Sequence, residues 1–244
     1  KGLKNGVGES PLIWDTYFDI TILTTEGATF LTASMVSLSC WCDSLCVSID
    51  IIMWLKRNFF NRPTLIVAKD LLGKYLCRRI NGKVVRAKIT ETEAYCGTKD
   101  KACHASKGLT ERTKVMFGPP GCAYVYLIYG MYHCLNIVTE REGYPAAILI
   151  RSVELQNYGS HITDYKNNTQ YAMRNRTMGN LNGPGILCRE LKIDKALNGV
   201  DFCKNNEIWV EDYREKPPRI KRGKRVGVDY AGRWKDKLWR FYVE

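Results

Sequence analysis

Hydrophobic and polar residues alternate cleanly along "VVRAKI": Val85, Ala87 and Ile89 fall on one side, and Val84, Arg86 and Lys88 on the other. A strand shows every second residue to the same face, so this stretch reads as β. Just upstream, "RPTLIVAKDLLGKYLCRRI" sets Leu65, Ala68, Leu71 and Leu72 at helical spacing, with Gly73 close to a helix end. "KYLCRRINGKVVRAKITETEAY" then predicts two strands joined at Asn81-Gly82, a strong hairpin signal. "GCAYVYLIYGMYHCLNIV" predicts a second β pair turning near Gly130-Met131, and "PAAILIRSVEL" a further strand carrying Arg151. Between them, 96–121 is rich in Gly, Thr and Lys and reads as loop or short helix. "HITDYKNNTQYAMRNRTMGN" reads as a surface insertion followed by a helix, and "GPGILCRELKID" has helical spacing in Ile186, Leu187 and Leu191. The chain closes on a basic loop and a last strand, "LWRFYV". Strands and helices do not alternate strictly, so the expected class is α+β with a mixed, largely antiparallel sheet and packed helices.

One oddity stands out in this pattern. Carrying the odd series past Ile89 gives Glu91, Glu93 and Tyr95, so a face that begins apolar ends on two acids and a phenol. Buried carboxylates are costly unless paired or hydrogen-bonded, so two of them aimed inward call for a reason.

Residues 1–52 are unlike the rest. "LTASMVSLSCWCDSLCVSIDII" is apolar but broken by Asp43 and Asp50, which argues against a membrane span. The sequence opens at Lys1, while Met35 and Met53 could each begin a shorter product. The expectation is an incidental N-terminal extension over 1–52 ahead of a single catalytic domain over 53–244.

Composition adds a partner. Thirty-seven Lys and Arg face 25 acids, a formal net charge of +12, which favours a polyanion: nucleic acid or an anionic membrane. The ten Cys are irregularly spaced without a CxxC pair, and only three His are present. Neither a zinc site nor a disulfide frame is convincing, so no metal or other cofactor is expected and the thiols read as reduced core residues.

In order along the chain come "ITETEAY", "DKACHAS", "MFGPPGCAYVYLIYGMYHCLNIV", "AILIRSVEL" and "RVGVDYAGRWKDKLWRFYV". This set resembles the alkyladenine (3-methyladenine) DNA glycosylase family, from about Phe59 to Val243. The resemblance implies a curved sheet and a β-hairpin that enters DNA. It also implies a monofunctional glycosylase of base-excision repair acting on 3-methyladenine, 7-methylguanine, hypoxanthine or ethenoadenine in double-stranded DNA. An intracellular monomer working beside DNA, not at a membrane, is expected.

By the same resemblance, Glu93 activates water and Arg151 compensates the acids. Tyr95, His104 and Tyr126 would wall a pocket for the extruded base. Asn136 would crowd the amino group of undamaged guanine, and Tyr129 would be the intercalating wedge. The run "RIKRGKR" offers Arg219, Lys221, Arg222, Lys224 and Arg225 as DNA-backbone contacts. Taken alone, Tyr95 and Tyr126 read as core, His104 as a satisfied loop histidine, Tyr129 as an exposed tyrosine beside Gly130 at a hairpin tip, Asn136 as a sheet residue and the basic run as a solvated face. Two other classes stay open on the residues themselves. A glycoside hydrolase also uses two carboxylates, though same-strand neighbours do not flank a scissile bond in the usual way. A DNA-binding module would explain the charge, but not inward-facing acids.

Overall fold

A computed structural model of the chain describes residues 21–25, 28–32, 53–156, 179–216 and 218–243. The chain divides into two compact units, Lys1–Ile51 and Ile52–Glu244. In the first, β1 (Thr21–Thr25) pairs antiparallel with β2 (Ala28–Thr32). The helix expected within 161–180 falls mostly outside the described residues.

The second unit is built on strands β3 (Met53–Trp54), β4 (Tyr75–Ile80), β5 (Lys83–Cys96), β6 (Ala123–Ile128), β7 (Tyr132–Val138) and β8 (Ala146–Leu155). To these it adds β9 (Asn180–Asn182), β10 (Ile208–Asp212), β11 (Ile220–Gly223) and β12 (Arg240–Val243). They form one sheet in the order β3-β10-β4-β5-β8-β7-β6, with β9 on β8 and the β11–β12 pair joined to β5. Every pairing among the described residues is antiparallel, so the expected mixture is not seen there. The basic stretch expected as loop contains β11, which pairs with β12 from Ile220↔Val243 to Gly223↔Arg240.

Local chemistry accounts for the connections. Asn81 and Gly82 both take positive φ (50° and 78°), the primed turn whose twist matches the flanking strands. Helix α2 (Thr64–Asp70) follows the short α1 (Arg57–Phe60), and α3 (Pro184–Glu190) starts on a proline, whose missing N–H costs nothing in a first turn. Val67, Ala68, Leu71, Leu187 and Leu191 bury the helices' apolar faces on one side of the sheet, against Ile89, Ala94, Leu135, Ile137, Ile148 and Ile150. The opposite side carries a smaller cluster of Tyr124, Val138 and Ala147, covered by Cys103, Ala105 and Met116 from short 3-10 turns. Among the described residues, no helix is long and apolar enough to cross a membrane.

The strand pattern in the sequence misses one event. On β5 and β8, Ile89 pairs with Val153, Glu91 with Ser152, and Thr92 with Ile150. Thr90 and Arg151 are therefore each one residue too many for the ladder. A single extra residue turns everything after it to the other face. Before the bulge, Ala87 and Ile89 meet the helices; after it, Ala94 does, while Thr92 Oγ1 donates to Ala68 O of α2. Glu91, Glu93 and Tyr95 consequently do not continue the apolar face of Ala87 and Ile89. They lie on the opposite one. The bulge falls where β5 exchanges β4 (last paired at Lys88) for β12 (first paired at Glu91) along one edge.

Candidate active site

On that second face Glu93 is fully buried, and three groups hold it. The Tyr95 hydroxyl donates to Oε2 at 2.8 Å and the Val226 backbone N–H to Oε1 at 2.8 Å. Arg151 Nη1 lies 3.4 Å from Oε1. Burial pushes the Glu93 carboxyl above the ordinary carboxylate range, while Arg151, the Val226 N–H and Tyr95 pull it back and Glu91 pushes it up. The result is a carboxylate short of full compensation, the condition in which it readily accepts a proton.

Glu91 is arranged differently. Its Oε1 accepts from Arg151 Nε at 2.9 Å and from Arg240 Nε at 2.5 Å. The four charges close into a neutral cluster, with Arg151 bridging both acids. Arg240 was not foreseen. It sits opposite Glu93 across the β12–β5 ladder, a pairing of residues far apart in sequence that no local pattern signals.

Beside this cluster a cavity of about 370 Å³ opens between β5–β8 and the loop after Arg225; Tyr95, His104, Tyr126, Asn136, Leu149 and Arg151 are among the residues lining it. His104 meets Tyr126 edge-on, with centroids 4.6 Å apart, and its Nδ1 is 3.0 Å from the Tyr124 hydroxyl. Burial, then Arg112 and Lys107, lower the His104 pKa to about 4, so the ring is neutral near pH 7. Asn136 is buried in the same wall, its Nδ2 donating to Tyr124 O at 3.1 Å. The structure thus brings Tyr95, His104, Tyr126, Asn136 and Arg151 around one space, with Glu93 buried behind Tyr95, Arg151 and Val226 of that wall. Tyr124 and Val226 belong to it too. Tyr124 could have been found from its alternation with Tyr126; Val226 acts through its backbone, which side-chain reasoning does not see.

Tyr129 stands at the tip of the β6–β7 hairpin, 81% exposed, and also reaches the cavity. Tyr129 and Gly130 take φ of 53° and 71°, and Met131 N–H closes the turn on Ile128 O at 3.2 Å. A positive φ is unusual for a bulky residue and costs roughly 1–2 kcal/mol. Leu127 and Met131 are exposed beside it.

The basic run divides. Arg219, Lys221, Arg222 and Lys224 are on the surface. Lys224 pairs with Asp236 at 2.6 Å, and Arg222 lies over the Phe241 ring at 5.6 Å. Arg225 does not fit a DNA-backbone role. Its side chain is fully buried and ion-paired to Asp100, because the chain turns inward there to form the cavity wall. Among the described residues, no group of three His, Cys, Asp or Glu could hold a metal ion.

Comparison with known proteins decides the family. The sequence model described as "Methylpurine-DNA glycosylase (MPG)" matches residues 58–244. The chain belongs to the methylpurine-DNA glycosylase family. A Methanocella arvoryzae protein named as a candidate 3-methyladenine DNA glycosylase is 50% identical over 191 residues, 77% of this chain and 91% of its own. An Alkaliphilus oremlandii protein of the same description is 48% identical over 195 residues, covering 79% and 96%. One from Legionella pneumophila is 46% identical over 190 residues, covering 78% and 94%. The glycosylase family match spans β4 to β12 and so takes in every residue placed around the cavity.

Proposed function

We propose that this chain is a monofunctional DNA glycosylase that excises alkylated or deaminated purines, 3-methyladenine, 7-methylguanine, hypoxanthine and ethenoadenine among them. The observation that carries this reading is Glu93: a buried carboxylate held by Tyr95, the Val226 N–H and Arg151 beside an aromatic cavity. The target base leaves the stack and enters between Tyr95, His104 and Tyr126. Stacking there contributes roughly 1–3 kcal/mol per base. Water attacks C1′ of the sugar as the N-glycosidic bond breaks; the purine leaves with the bonding electrons and the water's proton passes to Glu93. The Glu93 charge also favours the oxocarbenium character that develops on the sugar. Arg151 keeps Glu91 from adding its full charge to the same space. No lysine is among the described residues lining the cavity, so the product is an intact abasic site.

The test is an abasic-site assay on hypoxanthine-containing duplex. Strand scission by alkali after incubation supports the reading. Binding without abasic sites would make the chain a DNA-binding module instead. A glycoside hydrolase is disfavoured because Glu91, tied to two arginines, is not opposed to Glu93 across a substrate.

Two predictions follow from the placement of the site. Asn136→Ser opens room beside the purine 2-position, so excision of normal guanine relative to hypoxanthine should rise several-fold in competition assays, a gain on the order of 1 kcal/mol. An unchanged ratio would remove Asn136 from selectivity. Deleting residues 1–52 should leave excision on naked duplex within about twofold, because every residue of the proposed site lies in the second unit. A folded truncation without activity would overturn this.

A further inference from the structure

Arg225 is the member of the basic run that faces inward, and its contacts are extensive. Nη1 is 2.5 Å from Asp100 Oδ2, and Nη2 is 2.9 Å from Oδ1. Nη1 also donates to Ala94 O at 2.9 Å, and Nη2 to Trp234 O at 3.1 Å. The guanidinium lies 4.9 Å from the Tyr95 ring centroid and 5.0 Å from that of Trp239. Asp100 in turn accepts from the backbone N–H groups of Cys96 at 3.3 Å and Ala102 at 3.1 Å. Both side chains are fully buried.

A buried ion pair is a poor route to stability, since desolvation offsets most of the attraction. What this pair does possess is position. It ties together three segments that supply the site: the end of β5 with Tyr95, the 100–104 loop with His104, and the 225–228 loop. The residue directly after Arg225 is Val226, whose N–H meets Glu93. Bidentate geometry fixes the Arg225 guanidinium in direction as well as distance, and with it the course of the chain into Val226 is restrained.

Resting on the glycosylase reading, we infer that Asp100 and Arg225 are positioning residues, a clamp that holds the Val226 N–H on the water-activating Glu93. Neither touches the reacting atoms. Neutralising Asp100 leaves a buried guanidinium without its counter-charge, so the 225–228 loop shifts and the N–H leaves the carboxylate. The other charged or titratable groups around Glu93 are Glu91 and Tyr95 on β5, Arg151 on β8, Cys134 on β7, Arg225 itself, and Arg240 on β12 acting through Glu91. With the N–H gone, burial weighs more heavily and Glu93 holds a proton to higher pH, against a smaller opposite pull from the Arg225 charge that Asp100 no longer neutralises.

The experiment is single-turnover excision of hypoxanthine as a function of pH, for the parent, Asp100→Asn, Val226→Pro and the double variant. Proline removes the N–H without altering the side chains of the ion pair. The acid limb of the Asp100→Asn profile should move up by about one pH unit, a roughly tenfold slower rate on that limb. Val226→Pro should show the same displacement, and the double variant no more than either alone. A folded Asp100→Asn protein with the parent's limb, a Val226→Pro protein with the parent's limb, or additive displacements would each overturn the clamp. If Asp100→Asn does not fold, Arg225→Lys, which keeps the charge and loses the bidentate pairing, takes its place: the same displacement supports the clamp and the parent's limb overturns it. A parent that excises nothing overturns the glycosylase reading and this inference with it; an active parent with unmoved limbs overturns the clamp alone.

Discussion

Glu93→Gln should lower single-turnover excision at least a hundredfold while leaving the protein folded. General-base assistance typically contributes ~10²–10⁴-fold, and the lost charge near the developing oxocarbenium adds to it. The structure indicates why the fold survives. A glutamine can turn its oxygen to the Val226 N–H and its amide to the Tyr95 hydroxyl, which accepts as well as donates. Arg151 keeps Glu91 as a partner, so no buried cation is abandoned. Binding to lesion-containing duplex should persist or tighten, because one negative charge near DNA phosphate is gone. Glu91→Gln is the necessary companion. It loosens Arg151 and Arg240 but removes no group in reach of the water, so its loss should be smaller. The reverse order would mean that the wrong carboxylate has been assigned. Full excision in both variants would sink the mechanism.

Tyr129→Ala should slow excision from well-paired duplex by on the order of tenfold or more. A wedge that fills the space of an extruded base replaces one stacking interaction, roughly 1–3 kcal/mol, and each 1.4 kcal/mol is tenfold in the flipping equilibrium. The thermal midpoint of the protein should barely move, because the ring is exposed and buries little against the fold. The loss should shrink for a lesion in a mispair, whose stack is already disturbed. The positive φ at Tyr129 remains in the alanine variant, so turn geometry is not what changes. Equal rates for variant and parent in stable duplex would show that the hairpin tip does not enter the stack.

Much of the architecture was legible because it rests on local rules. Asn81-Gly82 fixed a hairpin, Leu65 to Leu72 fixed a helix, and the stretch around Gly130-Met131 announced a second β pair. What local rules do not carry is the pairing of distant segments. The alternation of Val85, Ala87 and Ile89 correctly predicted a strand, and it led to Glu93 as a buried acid. It named the wrong face, since the Thr90 bulge exists only where β5 pairs with β8. The charge of the 219–225 run was plain in the sequence, yet not that its last arginine turns inward onto Asp100. Arg240 and the Val226 N–H escaped for the same reason: each meets the acids only once the sheet has closed. The exposure of Tyr129 was easy to read, because a large aromatic beside a turn glycine has nothing local to pack against.

The dependence of Glu93 on Val226, and of Glu91 on Arg240, also sets a sequence of events during synthesis. A ribosome makes both acids long before it makes the residues that hold them, so the emerging chain carries two carboxylates with Arg151 as their one shared counter-charge. The sheet edge that β12 will occupy along Glu91, Thr92 and Glu93 stays open for that interval. A chain that ends before Val226 therefore lacks the N–H that meets Glu93, the strand that brings Arg240 to Glu91, and the Val226 to Tyr230 stretch of the cavity wall.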